Sequence, residues 1–373
     1  MLQSRDMRRY VILAVLTVIA SGIFHALPLP WHVVYSDVKV FGELALSPKF
    51  PYLEEQIEYP VLTGLFIKAM GALGGTHQRY YWLTVVFLAL AAALTTSLLF
   101  RILPPDARNR ILPYWALAPS LLIFGVMNWD LLVLFPVTLA LLSMERKRYA
   151  LAAMFFAIGF SVKFYPVMYL LPLLIAAPGL PTRLKAIGAF IATTLVINAP
   201  LALANPSGWA YFFTFNASRP PNPDSFWGAL KLLIPALDSH LITQLSSLLF
   251  IGGALWLAWR LRSAPPLYLM ALFTLLFLLT NKIFSPQYAL WLLPFFIVLP
   301  PVSRRSFYAF EFANLATFFT VLAILFTGMQ TKFPGATGVL AAFVFMRHAA
   351  LIALALPLLR VPAPAPQTPK ATA

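Results

Sequence analysis

The chain is a succession of long apolar runs, divided alternately by clusters of Arg or Lys and by loops that hold most of the carboxylates. Runs of this length and number exceed what one water-soluble core can bury, and they read as membrane spans. With 61% hydrophobic and 10% charged residues, a soluble globule is excluded. The expected fold class is an all-α polytopic membrane protein with about 12 transmembrane helices, within a range of roughly 10 to 13. The spans are drawn at 10–27, 81–100, 111–127, 131–144, 149–162, 165–177, 186–203, 241–259, 266–279, 288–300, 306–326 and 336–359. Several are shorter than the roughly 20 residues that cross a hydrocarbon core, which is expected if some helices end in a water-filled cavity.

The apolar segment 59–73 is expected to lie on the outer surface as an interfacial helix. With it off the spanning list, every basic cluster falls on one face: Arg5/Arg8/Arg9, Arg101/Arg108/Arg110, Arg146/Lys147/Arg148, Arg183/Lys185, Arg260/Arg262, Arg304/Arg305 and Arg360/Lys370. That face carries 17 of the 27 basic residues and 3 of the 12 acidic ones, so the positive-inside rule makes it cytoplasmic, with both termini. Run 10–27 lacks a small-residue cleavage site and reads as an uncleaved first span. One transmembrane domain is expected over 1–360, with long outer loops at 28–80 and 204–240 and a Pro- and Ala-rich disordered cytoplasmic tail at 361–373.

The net charge of +15 reflects topology and contact with anionic lipid in the bilayer, not nucleic acid. The absence of cysteine removes disulfides, thiolate nucleophiles and Cys-ligated metals. No phosphate-binding Gly-rich loop is present. The histidines show no metal-ligand spacing, so no metal and no cofactor is expected.

Polar breaks face the outer side at Asp37, at Asn128-Trp129-Asp130, at Lys163-Phe164-Tyr165-Pro166 and from Asn281 to Tyr288. Lysine or arginine at membrane depth marks a pathway or an anion. Lys163, Lys282 and Arg347 are therefore candidates for a phosphate, and Arg347 could alternatively pair with Asp130 or Glu58. Glu58 and Asp130 stand at helix starts, where a carboxylate is favoured by about 0.3 to 1 kcal/mol. They, with Tyr59, Asn128, Tyr165, Gln287, Tyr288 and His32, are candidate ligand contacts, to a sugar or its acceptor if the resemblance described next holds.

Asp37, Pro51-Tyr52, Glu58-Tyr59-Pro60-Val61-Leu62, Lys163-Phe164-Tyr165-Pro166 and Ser285-Pro286-Gln287-Tyr288-Ala289-Leu290-Trp291 resemble the GT-C glycosyltransferases. The resemblance is closest to the polyprenol-phosphate-mannose-dependent mannosyltransferases of glycosyltransferase family 87, over roughly residues 10 to 330. It implies a GT-C-like bundle in a bacterial plasma membrane, a polyprenyl-phosphate-linked sugar donor with mannose the expected sugar, and a glycolipid or glycan acceptor on the extracytoplasmic face. It also implies a first-loop Asp as general base, a role that falls on Asp37. The residues are compatible with that role, because a sugar on a phosphate needs only a base for the acceptor hydroxyl and cations for the departing phosphate. A flippase or secondary transporter for a lipid-linked substrate is the alternative from another class, since cation-lined cavities also serve translocation.

Overall fold

The structure is a computed structural model that describes residues 2–299, 302–329, 333 and 335–360; the expected disordered tail 361–373, with Lys370, lies outside them. Among the described residues every regular element is helical. Helix α1 (Leu2–Ala26) leads into a loop bearing α2 (Trp31–Val34), α3 (Asp37–Val40), α4 (Gly42–Leu46) and α5 (Val61–Gly74). There follow α6 (His77–Ile102), α7 (Pro119–Phe124), α8 (Asp130–Glu145), α9 (Tyr149–Val162), α10 (Leu170–Ala176) and α11 (Gly179–Ala204). The second long loop carries α12 (Pro206–Ser218) and α13 (Phe226–Leu233). The chain closes with α14 (Ser239–Arg260), α15 (Pro266–Thr280), α16 (Leu293–Val298), α17 (Arg304–Thr327) and α18 (Ala336–Ala355).

Six helices, α1, α6, α11, α14, α17 and α18, are long and apolar enough to cross a membrane. The protein is thus a multi-pass helical membrane protein. Helices α11 and α14 present Ile191, Leu195, Val196, Leu248, Ile251 and Leu255 outward, an apolar surface that suits lipid and not water. The remaining apolar helices are shorter, and of them α8, α15 and α16 are the most buried. Helix α9 has 14 residues, a rise of about 21 Å at 1.5 Å per residue, against a hydrocarbon core of roughly 30 Å. Helix α8 is buried along most of its length and packs on α9 and α6. Non-helical backbone at membrane depth is tolerated only where protein buries it or water reaches it, so the ends of these inner helices are where polar chemistry can sit.

Run 111–127 is not one helix. A π-helical turn at Leu112–Ala116 gives way at Leu117 and Ala118 before α7 begins. Pro113 and Pro119 each lack the backbone donor a continuous helix needs, and the Ser120 amide donates instead to Glu311 Oε2 of α17 at 2.7 Å. This accounts for an acid inside an apolar span. Segment 59–73 forms α5, packed against α4, α6 and α9 and ended by Gly75 at φ 67°, a left-handed conformation that glycine adopts without a Cβ clash.

Because the chain has no cysteine, sidedness can be read without background. Lys49→Cys in the first long loop is expected to react with a membrane-impermeant maleimide on intact cells, and Arg146→Cys at the end of α8 only after permeabilisation. The reversed pattern would put the polar breaks on the cytoplasmic face.

Candidate active site

Asp37 opens α3 at the end of an extended segment, Ser36 having φ −151° and ψ 128°. In extended backbone, residues two apart point the same way, and Tyr35 turns its hydroxyl onto Asp37 Oδ1 at 2.6 Å. The segment is fastened to the turn after α7: the Asp37 amide donates to the Met127 carbonyl at 2.8 Å, and Ser36 Oγ to the Val126 carbonyl at 2.8 Å. Asp37 Oδ2 accepts from Asn128 Nδ2 at 2.5 Å and from the Tyr59 hydroxyl at 3.3 Å. Three side chains from three parts of the chain therefore orient one half-exposed carboxylate. Burial raises the pKa of Tyr59 and of Tyr35, with the Asp37 charge adding to both, so both remain O–H donors.

Asn128 joins this carboxylate to a second one. Its Oδ1 accepts from Lys163 Nζ at 2.8 Å, and the ammonium lies 3.4 Å from Asp130 Oδ2, close enough for an ion pair but without hydrogen-bond alignment. Asp130 Oδ1 accepts from Trp291 Nε1 at 2.7 Å. Asp130, at the start of α8, therefore serves an ion pair, and α8 has no side-chain cap. Lys163 also lies 4.9 Å from the Tyr59 ring centroid. Trp291 is stacked on both sides, by Tyr165 and by Tyr288, each at 4.0 Å.

Tyr59 owes its position to Tyr52, whose hydroxyl donates to the carbonyls of Tyr59 and Pro60 at 2.9 and 2.8 Å. Tyr52 has φ 67°, a left-handed conformation that costs a side-chain-bearing residue about 1 to 2 kcal/mol. Gly64 and Gly208 approach so closely that a Cβ on either would collide with the Tyr52 hydroxyl and carbonyl respectively. Glu58 is half-buried beside them. Burial pushes its carboxyl up, Arg219 pulls it down, Asp37 pushes it up again and Lys163 pulls it down.

Lys282 and Arg347 stand apart from Asp37. Lys282 Nζ donates to the carbonyls of Ala217 and Arg219, both at 2.8 Å, and to Thr243 Oγ1 at 3.0 Å, which occupies all three ammonium protons. Arg347, fully buried in α18, pairs with neither Asp130 nor Glu58. Its Nη1 donates to Asn314 Oδ1 at 2.9 Å and its Nη2 to the Asp224 carbonyl, and its guanidinium lies 3.7 Å from the Phe284 ring. Burial raises the Asp224 carboxyl to about 6, against the lowering pull of Arg347. Phe284 in turn stacks at 6.5 Å on Tyr288, linking this second cluster to Trp291. Gln287 is buried with its Oε1 unpartnered among the described residues. His32, on α2, is half-buried and makes no hydrogen bond to Asp37.

Sequence reasoning missed Tyr35 and Trp291 as partners of the two carboxylates, and Arg219 as a charge acting on Glu58. The spacing of Tyr35 from Asp37 was a usable signal; the arrival of Trp291 and Arg219 depends on tertiary packing.

The fold and site define a polytopic helical membrane protein with an oriented carboxylate where its polar breaks converge. Residues 58–286 match glycosyltransferase family 87, which is more than half of the chain, and the protein belongs to that family. Asp37 and Arg347 fall outside the matched range; Glu58, Asn128, Asp130, Lys163 and Lys282 fall within it. No curated protein matches the chain. It is a membrane-embedded glycosyltransferase.

Removing one member of a buried ion pair leaves the other charge uncompensated, at a cost of about 3 to 5 kcal/mol. Lys163→Met is therefore expected to lower the thermal midpoint of the detergent-solubilised protein markedly. Adding Asp130→Asn to it should recover part of the loss, and a purely additive double variant would show that the two charges are not coupled.

Proposed function

We propose that the protein transfers a sugar, with mannose the expected one, from a polyprenyl-phosphate donor to a hydroxyl of an envelope glycolipid or glycan on the extracytoplasmic face, with Asp37 as general base. The observation that carries this reading is the triply hydrogen-bonded, half-exposed carboxylate of Asp37. An ionised carboxylate has about four lone-pair sites. Tyr35, Tyr59 and Asn128 occupy three of them, leaving one for the proton of an acceptor hydroxyl.

In the reaction the acceptor oxygen forms a bond to the anomeric carbon as Asp37 takes its proton. The bond from that carbon to the phosphate oxygen breaks, and its electron pair leaves on the polyprenyl phosphate. One base on the acceptor side suits a single displacement that inverts the anomeric centre, whereas a double displacement needs a nucleophilic carboxylate close to the sugar. Asp130 is not available as that nucleophile, being buried and engaged by Lys163 and Trp291. From a β-linked donor the product is an α linkage. The outer placement rests on the distribution of basic clusters, and the polyprenyl carrier on the family resemblance.

General-base catalysis contributes typically 10²- to 10⁴-fold. In membranes supplied with radiolabelled polyprenyl-phosphate-mannose, Asp37→Asn is expected to reduce label transfer to endogenous glycolipid by about that factor at unchanged protein level. Full activity of the variant would remove Asp37 from the mechanism. Absence of transfer by the wild type as well would remove mannose.

A further inference from the structure

Lys282 and Arg347 converge on one stretch of backbone, residues 217–224, which runs from the last turn of α12 into the loop beyond it. Lys282 Nζ holds the carbonyls of Ala217 and Arg219, and the Lys282 carbonyl receives the Asn222 amide at 3.0 Å. Arg347 holds the carbonyl of Asp224. The segment is thus anchored at both ends by buried cations. Between the anchors stands Arg219, half-exposed. Its guanidinium lies 5.3 Å from the Phe215 ring, and Nη2 donates to Asn222 Oδ1 at 3.0 Å. Among the described residues that is its only side-chain hydrogen bond, and it has no ion pair. Most of the five N–H donors of an arginine therefore remain for a ligand.

The surroundings specify what kind of ligand. A helix C-terminus normally repels anions through its unpaired carbonyls, but here the Lys282 ammonium covers the last carbonyls of α12 and removes that objection. The same helix turns Trp209, Phe212 and Phe213 into a narrow crevice shared with Tyr59, Pro60 and Phe160. Tyr59 also hydrogen-bonds Asp37, so the apolar crevice, the arginine-bearing segment and the oriented carboxylate adjoin. An apolar wall ending in a guanidinium complements a long hydrocarbon carried on a phosphate, and the planar fork of arginine matches phosphate oxygens.

We propose that Arg219 binds the phosphate of the isoprenoid-phosphate donor, with the aromatic face of α12 receiving the first isoprene units and Lys282 and Arg347 acting as positioning residues for the segment. This rests on the lipid-phosphate donor reading above.

The test uses the purified full-length protein in detergent, its thermal midpoint being followed with undecaprenyl monophosphate, undecaprenol or inorganic phosphate. The wild type is expected to be stabilised by the phosphorylated lipid beyond either of the others. Arg219→Gln should keep the unliganded midpoint and bind the phosphorylated lipid about ten- to a hundredfold more weakly, as for the loss of charge-assisted hydrogen bonds. Arg219→Lys should fall between, retaining charge without the fork. An equal response of wild type and Arg219→Gln overturns the assignment and leaves the donor reading standing. A wild type that does not prefer the phosphorylated lipid overturns both. Equal stabilisation by inorganic phosphate marks a free-anion site, and an unliganded midpoint lowered with the lipid increment intact marks a purely structural arginine; either overturns the proposal.

Discussion

An ammonium group buried where a short helix ends is the constraint around which this protein is organised. Lys163 follows the last residue of α9 and is almost wholly removed from solvent, where an unpaired charge is not tolerated. Its compensation comes from the neighbouring break in the chain, through Asn128 and Asp130. Those partners are themselves shared: Asn128 turns its amide protons to Asp37 and Tyr59, and Asp130 engages Trp291. Satisfying one cation thereby brings the first long loop, the start of α8, the end of α9 and the turn before α16 to a common point.

The other buried cations are arranged differently. Lys282 and Arg347 donate to backbone carbonyls of the second long loop, and the one carboxyl whose charge Arg347 feels, Asp224, forms no direct ion pair with it among the described residues. Carbonyl oxygens stabilise a cation without cancelling its charge, so the loop is fixed while the region keeps a positive potential. The Lys163 region is closer to neutral, with Asp130 opposite and Asp37 beyond Asn128. Two electrically distinct zones result, connected by the aromatic run Phe284, Tyr288, Trp291 and Tyr165.

The apolar runs, their alternation with basic clusters and the polar breaks were legible because hydropathy acts locally along the chain. Run 111–127 departs from a single helix because Pro113 and Pro119 interrupt a pattern that hydropathy alone reads as continuous. Asp37 was visible as a lone acid in a polar break, whereas its donors Tyr59 and Asn128 arrive from 22 and 91 residues away. Arg347 was legible as anomalous in an apolar helix, but its partners, the Asp224 carbonyl and Asn314, could not be read because a backbone carbonyl has no signature in sequence. Arg219 was hidden for a related reason: among scattered basic residues, nothing local distinguishes one whose neighbours are already paired from one that is left over.

The left-handed Tyr52 has a consequence for how this chain can change. Its hydroxyl sets the backbone that carries Tyr59, its phenol ring leaves no room beside Gly64, and its carbonyl leaves none beside Gly208 of α12. The two long loops are thereby keyed to each other through one residue with an unusual backbone angle. They form a single module despite the six apolar segments that separate them in the chain, α6 to α11 with the broken run counted once. A loop transplanted from a relative brings its own key, so exchange of one loop without the other joins two halves of different locks. Change in these loops is then expected to occur by substitution, with their lengths and their glycines retained.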